Sequence, residues 1–155
     1  MTLERLLARE AIRETITNYT AAGDSRNGDL FQAQFAGDAT LEFAGFPPLP
    51  GFKHVGIEAI RGMTAAWTKL PLKDPAFRSA SFIRHNLTTC HIQVTESDKA
   101  SARTYFVVFT DIGPDHAGVY ADDLVRRGER WQFSHRRITL DWRSPDSIFP
   151  PVRRS

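Results

Sequence analysis

From Phe82 to Trp142 the chain reads as a nearly unbroken series of long strands, and a fold without an extended sheet cannot hold them. The segments 82–96, 100–111, 116–127 and 130–142 alternate apolar and polar residues over much of their length, the pattern of strands with one buried face. Short connections around Asp98, Gly113-Pro114 and Gly128 separate them, so neighbours in sequence pair antiparallel as a meander. Two of these strands change phase partway. Ile83, His85 and Leu87 share one face, yet further on the apolar set is Cys90, Ile92 and Val94. Likewise Trp131 and Phe133 hand over to Ile138, Leu140 and Trp142. A one-residue slip of this kind is what a β-bulge produces, and bulges bend sheets. A strongly curved sheet is therefore expected.

Helical patterns come first along the chain. Leu3, Leu6, Leu7, Ile12, Ile16 and Tyr19 recur mostly at steps of three or four, which predicts a helix from Thr2 to about Ala22 with Gly23 as its stop. A second helix is expected over Gly28–Ala36, burying Leu30, Phe31 and Phe35, with Asn27 or Asp29 near its start. Asp38–Ala44 alternates like a strand, and Gly45–Phe52, carrying Pro47, Pro48 and Pro50, reads as a loop. Ile57, Ile60, Met63 and Trp67 predict a third helix over Gly56–Leu70, followed by an irregular connection to Ala80 containing Pro71 and Pro75. Helices followed by a meander make an α+β domain whose helices pack in the concave side of a mostly antiparallel sheet. No βαβ alternation is present, which excludes a Rossmann reading.

At 155 residues the chain is long enough for one core, expected over 1–143 with a tail at 144–155. Ile148 and Phe149 in that tail are either disordered or laid over the mouth of a cavity. A formal charge of +2 is too small to indicate nucleic acid or a membrane surface as a partner. The lone Cys90 cannot form an internal disulfide, and the charged start MTLERLLARE does not read as a signal peptide, so the cytoplasm is the expected compartment. His54, His85, His91, His116 and His135 show no HxH or HExxH spacing, which argues against a metal site. No GxSxG elbow and no glycine-rich phosphate loop occurs, so no cofactor is expected. In the third long strand Val119, Ala121 and Val125 alternate with Tyr120, Asp122 and Leu124, so both faces carry apolar groups and a homodimer or homotrimer across the sheet is expected.

Acid–base chemistry remains. His85 falls in the apolar phase of its strand and Arg136 in that of its own, and neither belongs inside without polar company. Tyr19 closes the apolar face of the first helix, and Asp24 follows just beyond Gly23. Separately these are a turn residue in GDSRNGD, a core aromatic, a packed histidine and a rim arginine. Together they would aim a carboxylate, a phenol, an imidazole and a guanidinium at one cavity.

The stretches LLAREAIRETITNYTAAGDSRNGDLFQAQFAGDATLEF, RHNLTT and LVRRGERWQFSHRRITLDW resemble the SnoaL-like branch of the NTF2-like superfamily, a cone-shaped α+β fold. The resemblance implies a cofactor-free lyase of the kind represented there by scytalone dehydratase, the bile-acid 7α-dehydratase and hexachlorocyclohexane dehydrochlorinase. It places Asp24 and His85 at the aspartate–histidine pair of those enzymes, Tyr19 at the tyrosine of the bile-acid enzyme and Arg136 at the arginine of the dehydrochlorinase. Tyr19 also stands where the dehydrochlorinase has lysine, and Phe43 lies near the place of a dehydratase tyrosine. The implied mechanism has Asp24 accepting the Nδ1 proton of His85, whose Nε2 removes a proton from carbon while Tyr19 and Arg136 steady the developing negative charge. Phe43, Trp67, Phe106 and Tyr120 are the expected walls for a small hydrophobic, cyclic substrate. An isomerase or cyclase using the same pair is the enzymatic alternative. A non-catalytic binding or structural module, as in the small subunit of ring-hydroxylating dioxygenases, is the other.

Overall fold

The computed structural model of the chain describes residues 2–69 and 74–154. Helix α1 spans Leu3–Ser25 and starts at Thr2, whose hydroxyl accepts from the Arg5 amide at 3.3 Å. It runs past the expected stop at Gly23 because Arg26, not the glycine, adopts the left-handed conformation (φ 56°) and turns its N–H back to the carbonyls of Ala22 and Gly23. Asp24 therefore stands in the last turn of a rigid helix and not in a loop. Helix α2, Gly28–Gln32, is capped by Asn27 and is shorter than expected, since the chain is already extended at Phe35, where β1 (Phe35–Phe43) begins. Strand β2, Phe52–Val55, emerges from the proline-rich connection and pairs antiparallel with β1, an element the proline pattern concealed. Helix α3 covers Ile57–Ala65 and continues as a 3-10 turn over Ala66–Lys69; its expected end at Leu70, and Pro71 beyond it, lie outside the described residues.

The long strands follow: β4 (Arg84–Val94), β5 (Lys99–Thr110), β6 (Gly113–Arg127) and β7 (Arg130–Arg143), preceded by the short β3 (Phe77–Arg78) and followed by β8 (Val152–Arg153). The main sheet has the order β2-β1-β7-β6-β5-β4, antiparallel except where β1 runs parallel to β7. A separate antiparallel pair joins β3 to β8. The result is the expected α+β architecture, with helices lying against one face of a six-stranded sheet.

Both expected bulges are present. The β4–β5 register slips between Leu87 and Cys90. On β7 the partners of Leu124 and Asp123 are Phe133 and His135, which leaves Ser134 as the extra residue and moves the inward set from odd to even positions. A second slip lower on β7 was not legible. Ala117 pairs with Trp142 but Gly118 with Leu140, and the skipped Asp141 turns Trp142 outward, where it keeps 44% exposure. The backbones close tightly at this slip. A Cβ on Gly118 would lie 2.0 Å from the carbonyl oxygen of Thr139, so only glycine fits.

The core lies between α1 and the sheet. Ile12, Ile16 and Tyr19 of α1 meet Phe31 and Phe35 and the inward residues Phe106, Val108, Tyr120, Leu124 and Phe133. Leu3, Leu6 and Leu7 extend the apolar pattern of α1 but remain exposed, so only the later turns of the helix are buried. Between the alternatives for the tail the structure selects docking: Ser147 and Ile148 are buried, and Phe149 stacks on His116 with ring centroids 5.6 Å apart. Among the described residues no helix is long and apolar enough to cross a membrane.

Candidate active site

His85 meets its carboxylate. The last turn of α1 lies against β4, and there Asp24 Oδ1 is 2.6 Å from His85 Nδ1 while Oδ2 accepts from the His85 backbone N–H at 3.1 Å. Gripping both the ring and its own strand fixes the imidazole's orientation. With a carboxylate at Nδ1 that nitrogen is the donor, so Nε2 carries the lone pair in the neutral ring. The His85 side chain keeps 19% exposure and that of Asp24 11%, a position open enough to be reached and closed enough to be held.

From His85 a ladder of rings leads inward. Its ring lies 6.0 Å from Phe106, which stacks on Tyr120 at 4.3 Å, and Tyr120 meets Tyr19 edge-on at 5.8 Å. Below them sits Arg136, wholly buried, its guanidinium 4.1 Å from the Tyr19 ring centroid, 4.2 Å from that of Tyr120 and 4.0 Å from that of Phe133. Asp122, its register partner across β6 and β7, takes Nε and Nη2 in a bidentate pair, both at 2.7 Å. The third nitrogen, Nη1, is buried without a hydrogen-bond partner. Burial opposes the charge on Arg136, but Asp122 outweighs it and the guanidinium stays cationic. Burial pushes the Tyr19 hydroxyl above its ordinary pKa although Arg136 pulls the other way, and Tyr120 is pushed well above. Both phenols are therefore hydrogen-bond donors at neutral pH.

The structure thus links Tyr19, Asp24, His85, Phe106, Tyr120 and Arg136 in one series of contacts. Trp67 joins at one remove, through its edge contact with Phe31 at 5.0 Å, and Phe31 packs on Tyr19. Phe43 stands apart: its ring contact is with Phe52, across the β1–β2 pair. The charge of Arg136 is committed to Asp122, which leaves the two N–H groups of Nη1 unpaired beside the tyrosine rings.

Two residues beside His85 escaped the sequence reading. His116 on β6 faces it edge-on at 6.4 Å and has its own carboxylate, with Asp115 Oδ1 2.7 Å from His116 Nδ1. His116 could have been found, since it shares the parity of Tyr120 and Asp122. Asp115 was not, because adjacent residues of a regular strand face opposite ways. The register slips here: Val108 pairs with His116 but Phe109 with Pro114, and the extra residue, Asp115, is turned inward and fully buried.

Residues 4–137 match the SnoaL-like domain model. The chain belongs to the SnoaL-like domain family. No curated protein matches the sequence. Among solved structures, a scytalone dehydratase candidate from Novosphingobium aromaticivorans is similar at 19% identity and a TM-score of 0.72, over 93% of this chain and 91% of that one. The hexachlorocyclohexane dehydrochlorinase LinA-type3 from Novosphingobium barchaimii is similar at 18% identity and a TM-score of 0.71, over 96% and 99%. A candidate beta subunit of an aromatic-ring-hydroxylating dioxygenase, also from Novosphingobium aromaticivorans, is similar at 19% identity and a TM-score of 0.72, over 90% and 93%. At these identities the likeness shows the fold alone, the NTF2-like cone.

The second histidine has a consequence for stability. Burial pushes the His116 pKa below its ordinary value against the pull of Asp115, with His85 and Arg143 adding to the push. The unfolded chain therefore binds a proton, with a pKa of about 6.5, that the folded chain resists. Stability is fully present above that pH and declines as pH falls below it. Melting temperatures between pH 7.5 and 5 are expected to fall, and to fall less steeply in His116→Gln.

Proposed function

We propose that this SnoaL-like protein is a cofactor-independent lyase that carries out a dehydratase-like elimination on a small hydrophobic, cyclic substrate. The observation that carries the reading is the 2.6 Å contact between Asp24 and His85 on a side chain still partly open to solvent. His85 Nε2 takes a proton from carbon, the C–H electron pair becomes the new double bond, and the carbon–oxygen bond breaks. The imidazolium, steadied by Asp24, returns its proton to the departing oxygen, which leaves as water. Phe106 and Tyr120 supply a flat apolar wall beside the base. Tyr19 donates from its hydroxyl, and Arg136 contributes Nη1 and holds both tyrosine rings in place.

An isomerisation uses the same first step and returns the proton to a different carbon. Mass spectrometry of products from a panel of hydroxylated cyclic ketones separates the two, because elimination yields a product lighter by one water. Asp24→Asn is nearly isosteric and preserves the helix, but no longer compels Nδ1 to be the donor or balances the imidazolium. Turnover is expected to drop by about 10²–10⁴-fold, by comparison with loss of the orienting carboxylate in hydrolytic triads. A drop under threefold in a folded variant would remove Asp24 from the mechanism.

A further inference from the structure

Asp115 is a hub whose other contacts all come from elsewhere in the chain. Besides His116 Nδ1 on Oδ1, it accepts from Ser147 Oγ at 2.7 Å on that same oxygen. Its Oδ2 accepts from the Ile148 amide at 3.1 Å and from Thr110 Oγ1 at 3.2 Å. The C-terminal segment thus builds the second histidine site twice over, filling the carboxylate from below and laying Phe149 parallel to the imidazole, 12° between planes. Burial opposes ionisation of Asp115, but the bonds from His116, Ser147 and Ile148 outweigh it and hold the carboxyl below its usual range. An anionic carboxylate is acceptor-only, so Nδ1 of His116 is a donor and its Nε2, in the neutral ring, is an acceptor. Among the described residues no donor reaches that Nε2, and none reaches Nε2 of His85. The site therefore presents two acceptor nitrogens on rings 6.4 Å apart, one of them on a side chain only 8% exposed.

Among the described residues the buried side-chain atoms without a partner are His135 Nε2, Arg136 Nη1 and Arg143 Nε, so His116 Nε2 keeps an open approach, and a ligand donor that replaces water there makes its hydrogen bond in a mostly buried site. A C–H bond offered to His85 is the hydrogen to be removed; what faces His116 must be an O–H or N–H. We propose that His116 Nε2, in a site assembled by Asp115 and the C-terminal segment Ser144–Phe149, binds a hydroxyl group of the substrate. The substrate class is thereby narrowed to hydroxylated rings over halogenated ones, because a carbon–halogen bond offers no donor. The inference rests on the lyase reading for its meaning in turnover, but the binding preference itself requires no chemistry.

Two probes of the same skeleton test it: 1-indanol and indane, titrated calorimetrically into the full chain and into His116→Phe, which retains a ring to stack on Phe149. The unmodified chain is expected to prefer 1-indanol, and His116→Phe to reduce the ratio of the two affinities by about tenfold, the worth of one hydrogen bond. On the unmodified protein, nitrogen NMR of the histidine rings provides a check independent of any variant's folding. His116 Nε2 is expected to shift on adding 1-indanol and to stay in place with indane, a response a purely structural histidine does not give. Equal affinities for the two probes, absence of binding by both at millimolar concentration, or an Nε2 resonance indifferent to 1-indanol would each overturn the proposal. Inactive His85 variants bear on the lyase reading alone, so the two fail separately.

Discussion

Arg136→Leu is expected to lower the stability of the fold by about 3–5 kcal/mol, because it leaves Asp122 as an unpaired charge in the core. Both side chains of the pair are 0% exposed, and Asp122 has its two oxygens on Arg136 at 2.7 Å. Without the guanidinium, the carboxyl must either stay charged in an apolar surround or take up a proton, and burial already pushes its pKa up. Three aromatic faces lose their cation in the same step. For a domain whose whole stability lies at about 5–15 kcal/mol, that is a large share. Removing both partners is a different matter. A double replacement, Arg136→Leu with Asp122→Leu, takes away the uncompensated charge along with the pair and is expected to recover most of the loss. Urea denaturation of the two variants checks this, and a single variant within 1 kcal/mol of the unmodified chain, by the same bookkeeping, would mean that the pair is solvated.

His85→Gln is expected to abolish most of the elimination, by about 10²–10⁴-fold, while leaving the fold intact. Glutamine preserves a hydrogen-bonding side chain of similar reach, and the His85 ring is not part of the apolar core. Its inward ring contacts, with Phe106 at 6.0 Å and His116 at 6.4 Å, are loose. Single-turnover rates on any substrate found in the panel, together with an unchanged melting temperature at pH 8, separate a lost base from a lost fold. Turnover within a factor of about three of the unmodified chain would rule out His85 as the base.

How far the chain could be read before its structure depended on whether period-two alternation held. Where it held, or slipped once between long regular runs, inward residues were legible: the handover from Phe133 to Ile138 announced the Ser134 bulge and, with it, the burial of Arg136. Where two slips lay close together, parity failed. Trp142 was expected inside and is outside because Asp141 is skipped, and Asp115 is inside because Phe109 and Val108 step over it. Asp122, in phase with Tyr120 and Leu124, was a carboxylate on a buried face and could have been matched with Arg136 from the outset. At the end of α1 the reading erred through a general rule. Glycine is the commonest left-handed cap, yet Arg26 took that conformation, and the helix carried Asp24 with it to within reach of β4. A turn residue became a side chain fixed to a helix, which is the better mount for a carboxylate that must hold a ring. The C-terminal segment shows no periodicity at all. Its docking is determined by hydrogen bonds to one buried aspartate, a kind of information that patterning does not contain.

The mechanism depends on which nitrogen of His85 carries the proton, and long-range proton–nitrogen NMR of the histidine rings reads that directly. At a pH where the ring is neutral, Nδ1 is expected to be protonated, with a downfield proton that is lost or displaced in Asp24→Asn, and Nε2 to be bare. A ring protonated at Nε2 instead, unaffected by Asp24→Asn, would contradict the account, because the nitrogen facing the substrate would have no lone pair with which to begin.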